Sequence, residues 1–356
     1  MNRTAFGGGI VGVGNVLMLA MMAAASDGNV ELAGKPSFIS DHTDAQFAAF
    51  NSADCFDDLP ECDAACADDC DCGYGSHWDN TSIFLAADSW RTRADDDYPG
   101  SQGFRTGFNS GIGWWDCPVR VQLGASYAGY DLSGRDGDLG ADPLHSSSAE
   151  QQLFFTGGVY RRSDVCEGVP CSWGAVIDVI YDNHFGEQAQ EILLTQARGI
   201  VGYALDDCNE FGVWGASRMN WQRLQSEVAP GRFRVRGLTQ ANMFWHRNWA
   251  CGGDTWIYAG AAEEPGEWVL GLTGQAPLSP SVALFGGFAW GIPSAPAGDQ
   301  LGGQNYSEEY WNLSFGIVWY PGCKAKNNTV SGHAGLPLFP VADNGTFMVF
   351  ARPGNL

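Results

Sequence analysis

The fold is decided by the stretch Phe104-Arg105-Thr106-Gly107-Phe108-Asn109-Ser110-Gly111-Ile112-Gly113-Trp114, in which apolar or hydroxyl-bearing residues alternate with small or polar ones. The same alternation runs through Val119-Arg120-Val121-Gln122-Leu123-Gly124-Ala125-Ser126-Tyr127-Ala128. A period of two places successive side chains on opposite faces of a strand. One face is rich in aromatic and aliphatic residues and the other is small or polar, which is the pattern of a transmembrane β-barrel with lipid outside and water inside.

About twelve segments with this pattern fill the middle of the chain. They are 82–91, 103–115, 119–131, 151–162, 172–182, 191–205, 210–222, 232–248, 255–263, 267–276, 281–291 and 309–320. Most are close to the length of a tilted strand that crosses a bilayer. We therefore predict an all-β fold, an antiparallel up-and-down transmembrane β-barrel of about 12 strands, with an N-terminal Cys-rich segment.

The regions outside the strands suggest export and a cross-linked N-terminal segment. Residues 1–25 have the form of a signal peptide, with Arg3 before an apolar stretch and small residues at Ala23-Ala24-Ala25. Residues 26–80 are predicted to be a linker followed by an acidic Cys-rich module. The barrel is predicted over 81–322, and a C-terminal tail over 323–356.

The overall composition narrows the possible functions. The net charge of −22 argues against a nucleic-acid partner, because the chain as a whole would repel phosphates. With 48 Gly and 13% aromatic residues, the chain suits closely packed strands and aromatic girdles. The competing interpretation is a soluble exported β-sandwich or propeller that acts as a binding module.

The cysteines support the strand count, because they gather at one end of the predicted barrel. If the first strand starts at the periplasmic side, the turns at that side fall near residues 116–118, 163–171, 206–209 and 249–254. We expect disulfides that tie the Cys-rich module to these turns, as is usual in an oxidising compartment. The predicted participants are Cys55, Cys62, Cys66, Cys70, Cys72, Cys117, Cys166, Cys171, Cys208, Cys251 and Cys323.

The inward face of the strands carries the candidate functional residues. Sixteen of the 19 basic residues are Arg, and all three Lys lie outside the predicted barrel. Two interpretations stay open: an Arg–carboxylate network that braces a nearly filled barrel, or a constriction that selects anions. The predicted lumen-lining residues are Arg105, Arg120, Gln122, Asp178, Gln196, Arg198, Glu210, Arg218, Arg234, Arg236, Asn242 and His246.

No motif indicates a metal, a cofactor or catalysis. The cysteine module lacks paired C-x2-C spacing, and the acidic loop Gly134–Asp142 lacks a terminal Glu at EF-hand spacing. No G-x-S-x-G precedes a helix. We therefore expect no metal, no cofactor and no enzymatic activity.

Several segments together resemble an uncharacterised planctomycete family of exported outer-membrane β-barrel proteins. They are Gln122–Tyr127, Tyr130–Arg135, Gln151–Gly158, Asn209–Trp214 and Pro340–Met348. The resemblance implies an outer membrane and no particular activity. Ordinary outer-membrane barrels end on their last strand, whereas here 36 residues follow it, from Pro321 to Leu356.

These observations predict a protein of the outer membrane that contacts its lipid. Its expected role is a narrow porin-like channel or a structural barrel with an Arg-lined lumen, with small anions as the candidate solutes. The oligomeric state is not indicated by the sequence.

Overall fold

The computed structural model describes residues 78–92, 100–114, 117–132, 149–165, 168–185, 190–226, 231–263, 267–292, 310–326, 330 and 335–353. The chain divides into two units, 1–59 and 60–356, and every described residue belongs to the second. The signal peptide and the Cys-rich module predicted from the sequence lie outside the described residues. Within the described part of the chain, no helix is long and apolar enough to span a membrane.

The described residues form fifteen β-strands. In chain order these are β1 (Thr81–Arg91), β2 (Ser101–Trp114), β3 (Cys117–Tyr130), β4 (Glu150–Arg161), β5 (Cys171–Phe185), β6 (Gln190–Ala204), β7 (Asn209–Arg218), β8 (Trp221–Ser226), β9 (Gly231–Gly237), β10 (Gln240–Asn248), β11 (Asp254–Ala262), β12 (Trp268–Pro277), β13 (Val282–Ile292), β14 (Tyr310–Trp319) and β15 (Val349–Pro353).

Twelve of these strands close into an antiparallel barrel, which confirms the predicted fold class. Each barrel strand pairs with its neighbours in chain order, and β1 pairs with β14 to close the sheet. The closing register runs from Ile83 opposite Trp319 to Arg91 opposite Trp311. Closure leaves no free edge within the barrel, which a sheet in a membrane requires.

The remaining three strands form a small sheet with the order β15-β9-β8. The alternation at 232–248 predicted one strand, but the structure breaks it at Leu238-Thr239 into β9 and β10. Only β10 belongs to the barrel, where it pairs directly with β7. The hairpin β8–β9 is therefore an excursion from one end of the barrel wall.

The outer surface of the barrel is apolar, as the periodicity predicts. Phe104, Phe108 and Ile112 on β2 are 58%, 45% and 48% exposed, while Arg105 and Asn109 between them are buried. The same alternation recurs around the wall. Other exposed outward residues are Leu85, Leu123, Tyr127, Phe155, Ile177, Leu193, Val201, Phe211, Val213, Met243, Ile257, Leu270, Phe315 and Ile317.

The interior, in contrast, is not simply polar. Phe154, Ile180 and Leu194 are fully buried wall residues that pack with Phe347 in one apolar cluster. A second cluster joins Tyr160, Val176 and Phe244 of the wall to Leu338 and Phe339. The alternation predicts a small or polar inward face, whereas this face also carries large apolar residues that form a packed core inside the barrel. That core includes residues that follow the last barrel strand.

Candidate functional site

We call the end of the barrel where β1 begins and β14 ends the near rim, and the opposite end the far rim. Eight of the twelve predicted lumen-lining residues are buried in the barrel wall, and Arg120 is half-buried on β3. The eight are Arg105, Gln122, Asp178, Gln196, Arg198, Glu210, Asn242 and His246.

The other three predicted lumen residues lie at the far rim. Arg218 ends β7 and, like Arg236, forms an ion pair with Glu263. Arg234 and Arg236 belong to β9 in the small sheet, so the prediction that they line the lumen is wrong. Val235, which alternates with these two arginines, is buried in an apolar cluster. The cause is the break at Leu238-Thr239, on both sides of which the polar residues keep the same parity and so suggest a single strand.

Part of the C-terminal tail, residues 335–348, lies inside the barrel. Residues 335–348 leave the near rim, run along the wall and reach the far rim, where β15 pairs with β9. We call residues 335–348 the lumen segment. At the near rim, the Tyr160 hydroxyl donates to the carbonyl of Gly335 at 2.7 Å. The Arg162 guanidinium donates to the carbonyls of Leu336 and Pro337 at 2.8 and 2.6 Å.

In the middle of the barrel, wall side chains bind the backbone of the lumen segment. The Gln122 amide donates to the Phe339 carbonyl at 2.7 Å and accepts from the Phe339 N–H at 3.2 Å. Asn109 donates to the same carbonyl at 2.8 Å. Arg198 donates to the carbonyl of Pro340 at 2.9 Å. These contacts replace the strand partners that a lone extended segment lacks.

Near the far rim the contacts involve side chains of the segment itself. Asn344 donates to Tyr130 Oη at 3.1 Å and to Gln152 Oε1 at 2.8 Å. Arg105 pairs with Asp343 at 3.1 Å. The segment then joins the small sheet, since the Leu238 N–H donates to the Met348 carbonyl at 2.8 Å. The lumen segment is thus held along its whole length.

Glycines of the wall make room for the segment. A Cβ atom at Gly124 would lie 2.6 Å from Val341 Cγ2, and one at Gly174 would lie 2.7 Å from Phe339 Cε2. Both distances are shorter than van der Waals contact allows, so any larger residue would displace the segment. Glycine is therefore required here by close approach and not by backbone conformation.

Buried ion pairs brace the wall around the segment. The guanidinium of Arg198 makes a bidentate contact with Asp178, with Nε–Oδ2 at 2.5 Å and Nη2–Oδ1 at 2.9 Å. Asp178 also accepts from Thr156 at 2.8 Å and from Gln196 at 3.0 Å. A carboxylate with this many donors is satisfied within the barrel, as a buried charge requires.

A second polar cluster lies toward the near rim. Glu210 accepts a short hydrogen bond from Ser172 and contacts His246 Nδ1 at 3.2 Å. His246 Nε2 lies 3.6 Å from Asp254 Oδ2, and the ring stacks on Trp256 with a centroid distance of 4.1 Å. Ser172 is hydrogen-bonded to the carboxylate and not to the imidazole, so the cluster lacks the Ser–His hydrogen bond of a Ser–His–carboxylate triad. Just after the last barrel strand, β14, burial raises the pKa of Tyr320, whose hydroxyl donates to Gln275.

A cavity of about 340 Å³ remains between the lumen segment and the wall, where it is lined by β10–β14 and β1 and also by residues of β2, β6 and β7. It extends from near-rim residues such as Gly252 and Asp254 to Asn312, and Pro340 and Asp343 border it from the segment. Among the described residues, no group of three or more His, Cys, Asp or Glu is placed to hold a metal ion.

The described barrel cysteines lie at the near rim, as strand parity predicts. Cys208 and Cys323 are disulfide-bonded. Cys171 and Cys251 carry free, exposed thiols, so their predicted participation in disulfides is wrong for this structure. Cys117 begins β3 at the same rim. Cys166 and the five cysteines of the N-terminal module lie outside the described residues.

The lumen segment lies within the predicted tail 323–356, and none of its residues is among the predicted site residues. The signal that could have revealed it is the apolar stretch Leu336-Pro337-Leu338-Phe339-Pro340-Val341, which is unusual for an exposed terminus. The inward positions of Phe154, Ile180 and Leu194 give a second indication, because large apolar side chains would be exposed to water in a purely water-filled lumen.

Comparison with known proteins adds a family and several distant structural similarities. A family model described as a family of unknown function, DUF6666, matches residues 80–349, which is more than half of the chain. No curated protein matches. Outer membrane phospholipase A from Escherichia coli is 8% identical, with a TM-score of 0.39 over 68% of this chain and 96% of that one.

Two further barrels are similar at the same distant level. An anion-selective porin from Comamonas acidovorans is 8% identical, with a TM-score of 0.31 over 67% of this chain and 98% of that one. The β domain of the Bordetella autotransporter BrkA is 15% identical, with a TM-score of 0.32 over 68% of this chain and all of that one. These matches concern the barrel fold alone.

Proposed function

The chain belongs to the DUF6666 family, and we propose that it is a structural outer-membrane β-barrel whose lumen is closed by its own C-terminal segment. The observation that carries this proposal is the lumen segment, which runs from rim to rim and is hydrogen-bonded to the wall at each level. Of the two roles that the sequence left open, the braced and filled barrel therefore has more support than the narrow channel.

The outward surface supports a membrane location. The outward positions of β2 and β3 expose Phe104, Phe108, Ile112, Leu123 and Tyr127, and such positions recur around the closed wall. A continuous apolar band of this kind suits the hydrocarbon layer and would be costly in water. A soluble sandwich would bury these side chains. The band also supports contact with outer-membrane lipid as the expected environment.

The interior contacts favour closure over anion passage. The guanidinium groups of Arg105 and Arg198 are already engaged by Asp343 and Asp178. A selectivity filter needs charges that a passing ion can reach, and these charges are paired and buried. We also propose no enzymatic role, because Ser172 is hydrogen-bonded to Glu210 and not to His246, unlike the serine of a Ser–His–carboxylate triad.

The cysteines fit a collar at the near rim, which would be the periplasmic side. Cys208 and Cys323 take part in disulfides there, and the short turns lie at the same end. Bridges that close long loops stabilise a fold by roughly 3–4 kcal/mol when they are unstrained. Peptide mapping under non-reducing conditions would identify the partners of both residues.

Conductance in a planar bilayer tests the closed lumen. We expect the full chain to give no resolved channel steps, and a chain truncated after residue 334 to give stable ones, because the truncation empties the lumen. The truncated chain keeps all eleven cysteines and every barrel strand. The control is removal of 354–356 alone, which leaves β15 and the lumen segment in place. Equal conductance of the full and truncated chains would overturn the proposal.

A further inference from the structure

The small sheet at the far rim carries an unusual concentration of arginine. Its strands contain Arg223 on β8, Arg232, Arg234 and Arg236 on β9, and Arg352 on β15. These are five of the 16 Arg in a chain whose net charge is −22. A basic surface on an acidic protein marks a place where the local field opposes the overall one.

The strand register places three of these arginines directly opposite one another. Arg223 is the partner of Arg234, and Arg234 is the partner of Arg352. Like charges at directly opposed positions of a sheet destabilise it. Adjacent strands lie about 4.8 Å apart, so the backbone positions of the three arginines form a row that crosses the sheet with that spacing.

Trp221 holds two of the guanidinium groups in place. Arg234 Cζ lies 4.2 Å from the centroid of the Trp221 ring, and Arg223 Cζ lies 5.1 Å from it. Both arginines are exposed, and Trp221 is 45% exposed. Neither arginine has an ion pair within the described part of the chain. Cation–π contacts of this kind fix the two charges close together without neutralising them.

The other face of the same sheet is covered. Val235 is buried in the apolar cluster that includes Trp90, Phe185 and Phe347, and Leu224 packs against that cluster. The arginine face therefore points away from the barrel interior, beyond the far rim. It is displayed to the solvent and does not belong to the outward band of the barrel strands.

We propose that this arginine face binds an extended anionic polysaccharide. Two exposed cations on neighbouring strands, in a row that the backbone register extends to position 352 of β15, suit a linear polymer that repeats an anionic group along its length. The planar guanidinium group makes paired hydrogen bonds to sulfate, phosphate or carboxylate oxygens, and the bound anionic groups would offset the repulsion between the opposed arginines. The proposal does not depend on whether the lumen conducts, because the binding face lies outside the lumen.

Binding of fluorescein-labelled dextran sulfate to the purified full chain in non-ionic detergent tests the proposal. We expect micromolar or tighter binding at low salt that weakens as salt is raised, and no binding of neutral dextran. The double variant Arg223→Gln plus Arg234→Gln should bind at least ten times more weakly. The matched control is Arg247→Gln, since Arg247 also stacks on a tryptophan, with Cζ 4.6 Å from the Trp249 ring, but at the near rim.

Three results would overturn the proposal. The first is no binding of dextran sulfate, or binding equal to that of neutral dextran. The second is an equal loss of affinity in the double variant and in Arg247→Gln. The third is a full chain that co-purifies with anionic phospholipid but does not bind dextran sulfate, together with a double variant that loses the phospholipid. That result would assign the face to lipid headgroups. Unchanged thermal unfolding of the double variant would show that lost binding is not lost folding.

Discussion

Gln122 is the wall residue whose replacement should loosen the lumen segment most selectively. Its side chain is fully buried on β3, and its amide makes two hydrogen bonds with the backbone of Phe339, one as donor and one as acceptor. The replacement Gln122→Met keeps the length of the side chain and removes both hydrogen bonds to the segment. It also removes the bond that Gln122 donates to Asn109 Oδ1 at 3.1 Å, but that bond lies within the wall and is lost whether the segment is docked or not. The barrel strands themselves lose no backbone contact.

The expected cost follows from what each partner loses. The Phe339 N–H would be left without an acceptor, which costs about 1–3 kcal/mol in a buried site. The Phe339 carbonyl keeps its bond from Asn109, so its loss is only the net value of one hydrogen bond, about 1 kcal/mol. Together these give about 2–4 kcal/mol, or roughly a 30-fold to several-hundred-fold rise in the undocked population of the segment.

Hydrogen exchange read by mass spectrometry measures this change directly. Peptides that cover residues 336–348 should exchange faster in Gln122→Met by about that factor, while peptides from β5 and β6 stay protected. The control is Gln102→Met, because Gln102 is exposed on the same wall. Unchanged exchange in the lumen segment, or an equal rise in Gln102→Met, would refute the docking described here.

Three further predictions test the wall and its surroundings. Leu123→Arg places a charge midway along β3 on the lipid face and should lower the free energy of unfolding in bilayers by about 2–4 kcal/mol. Leu132→Arg, beyond the end of the strand, should not lower it, and urea titrations in lipid vesicles measure both variants. Arg198→Leu should destabilise the barrel by about 3–5 kcal/mol in the same assay because it leaves Asp178 charged and buried, and wild-type stability would contradict this. Cys251 should react in intact cells only with maleimides that reach the periplasm, and labelling by reagents confined to the cell exterior would reverse the assigned orientation.

The barrel could be predicted because its strands obey a local rule. Alternation over ten or more residues reports which face meets lipid, and each strand of the wall has to satisfy it. The same rule misled at 232–248. There Arg234 and Arg236 continue the pattern of Gln240 and Asn242, although β9 faces a different partner. Alternation states that a strand has two unlike faces, and it does not state what covers each face.

The lumen segment could not be predicted by the same reasoning. It makes no ladder within the barrel, so it shows no period of two. Its contacts join positions far apart in the chain, such as Gln122 and Phe339. Periodicity carries no information about such pairs. The composition of the interior held the missing information, since buried Phe154 and Leu194 need an apolar partner that the wall alone does not supply.

The inward arginines of the wall and the lumen segment complement each other as hydrogen-bond donors and acceptors. Pro337 and Pro340 have no N–H group, so the lumen segment presents more acceptors than donors to the wall. The wall supplies the donors: Arg162 donates to two carbonyls of the segment, and Arg198 and Gln122 donate to one each. Arginine suits this task better than lysine because one planar group can bind a carboxylate and a carbonyl together, as Arg198 does with Asp178 and Pro340. An excess of inward arginine in a barrel can therefore indicate an acceptor-rich chain inside it as readily as a path for anions.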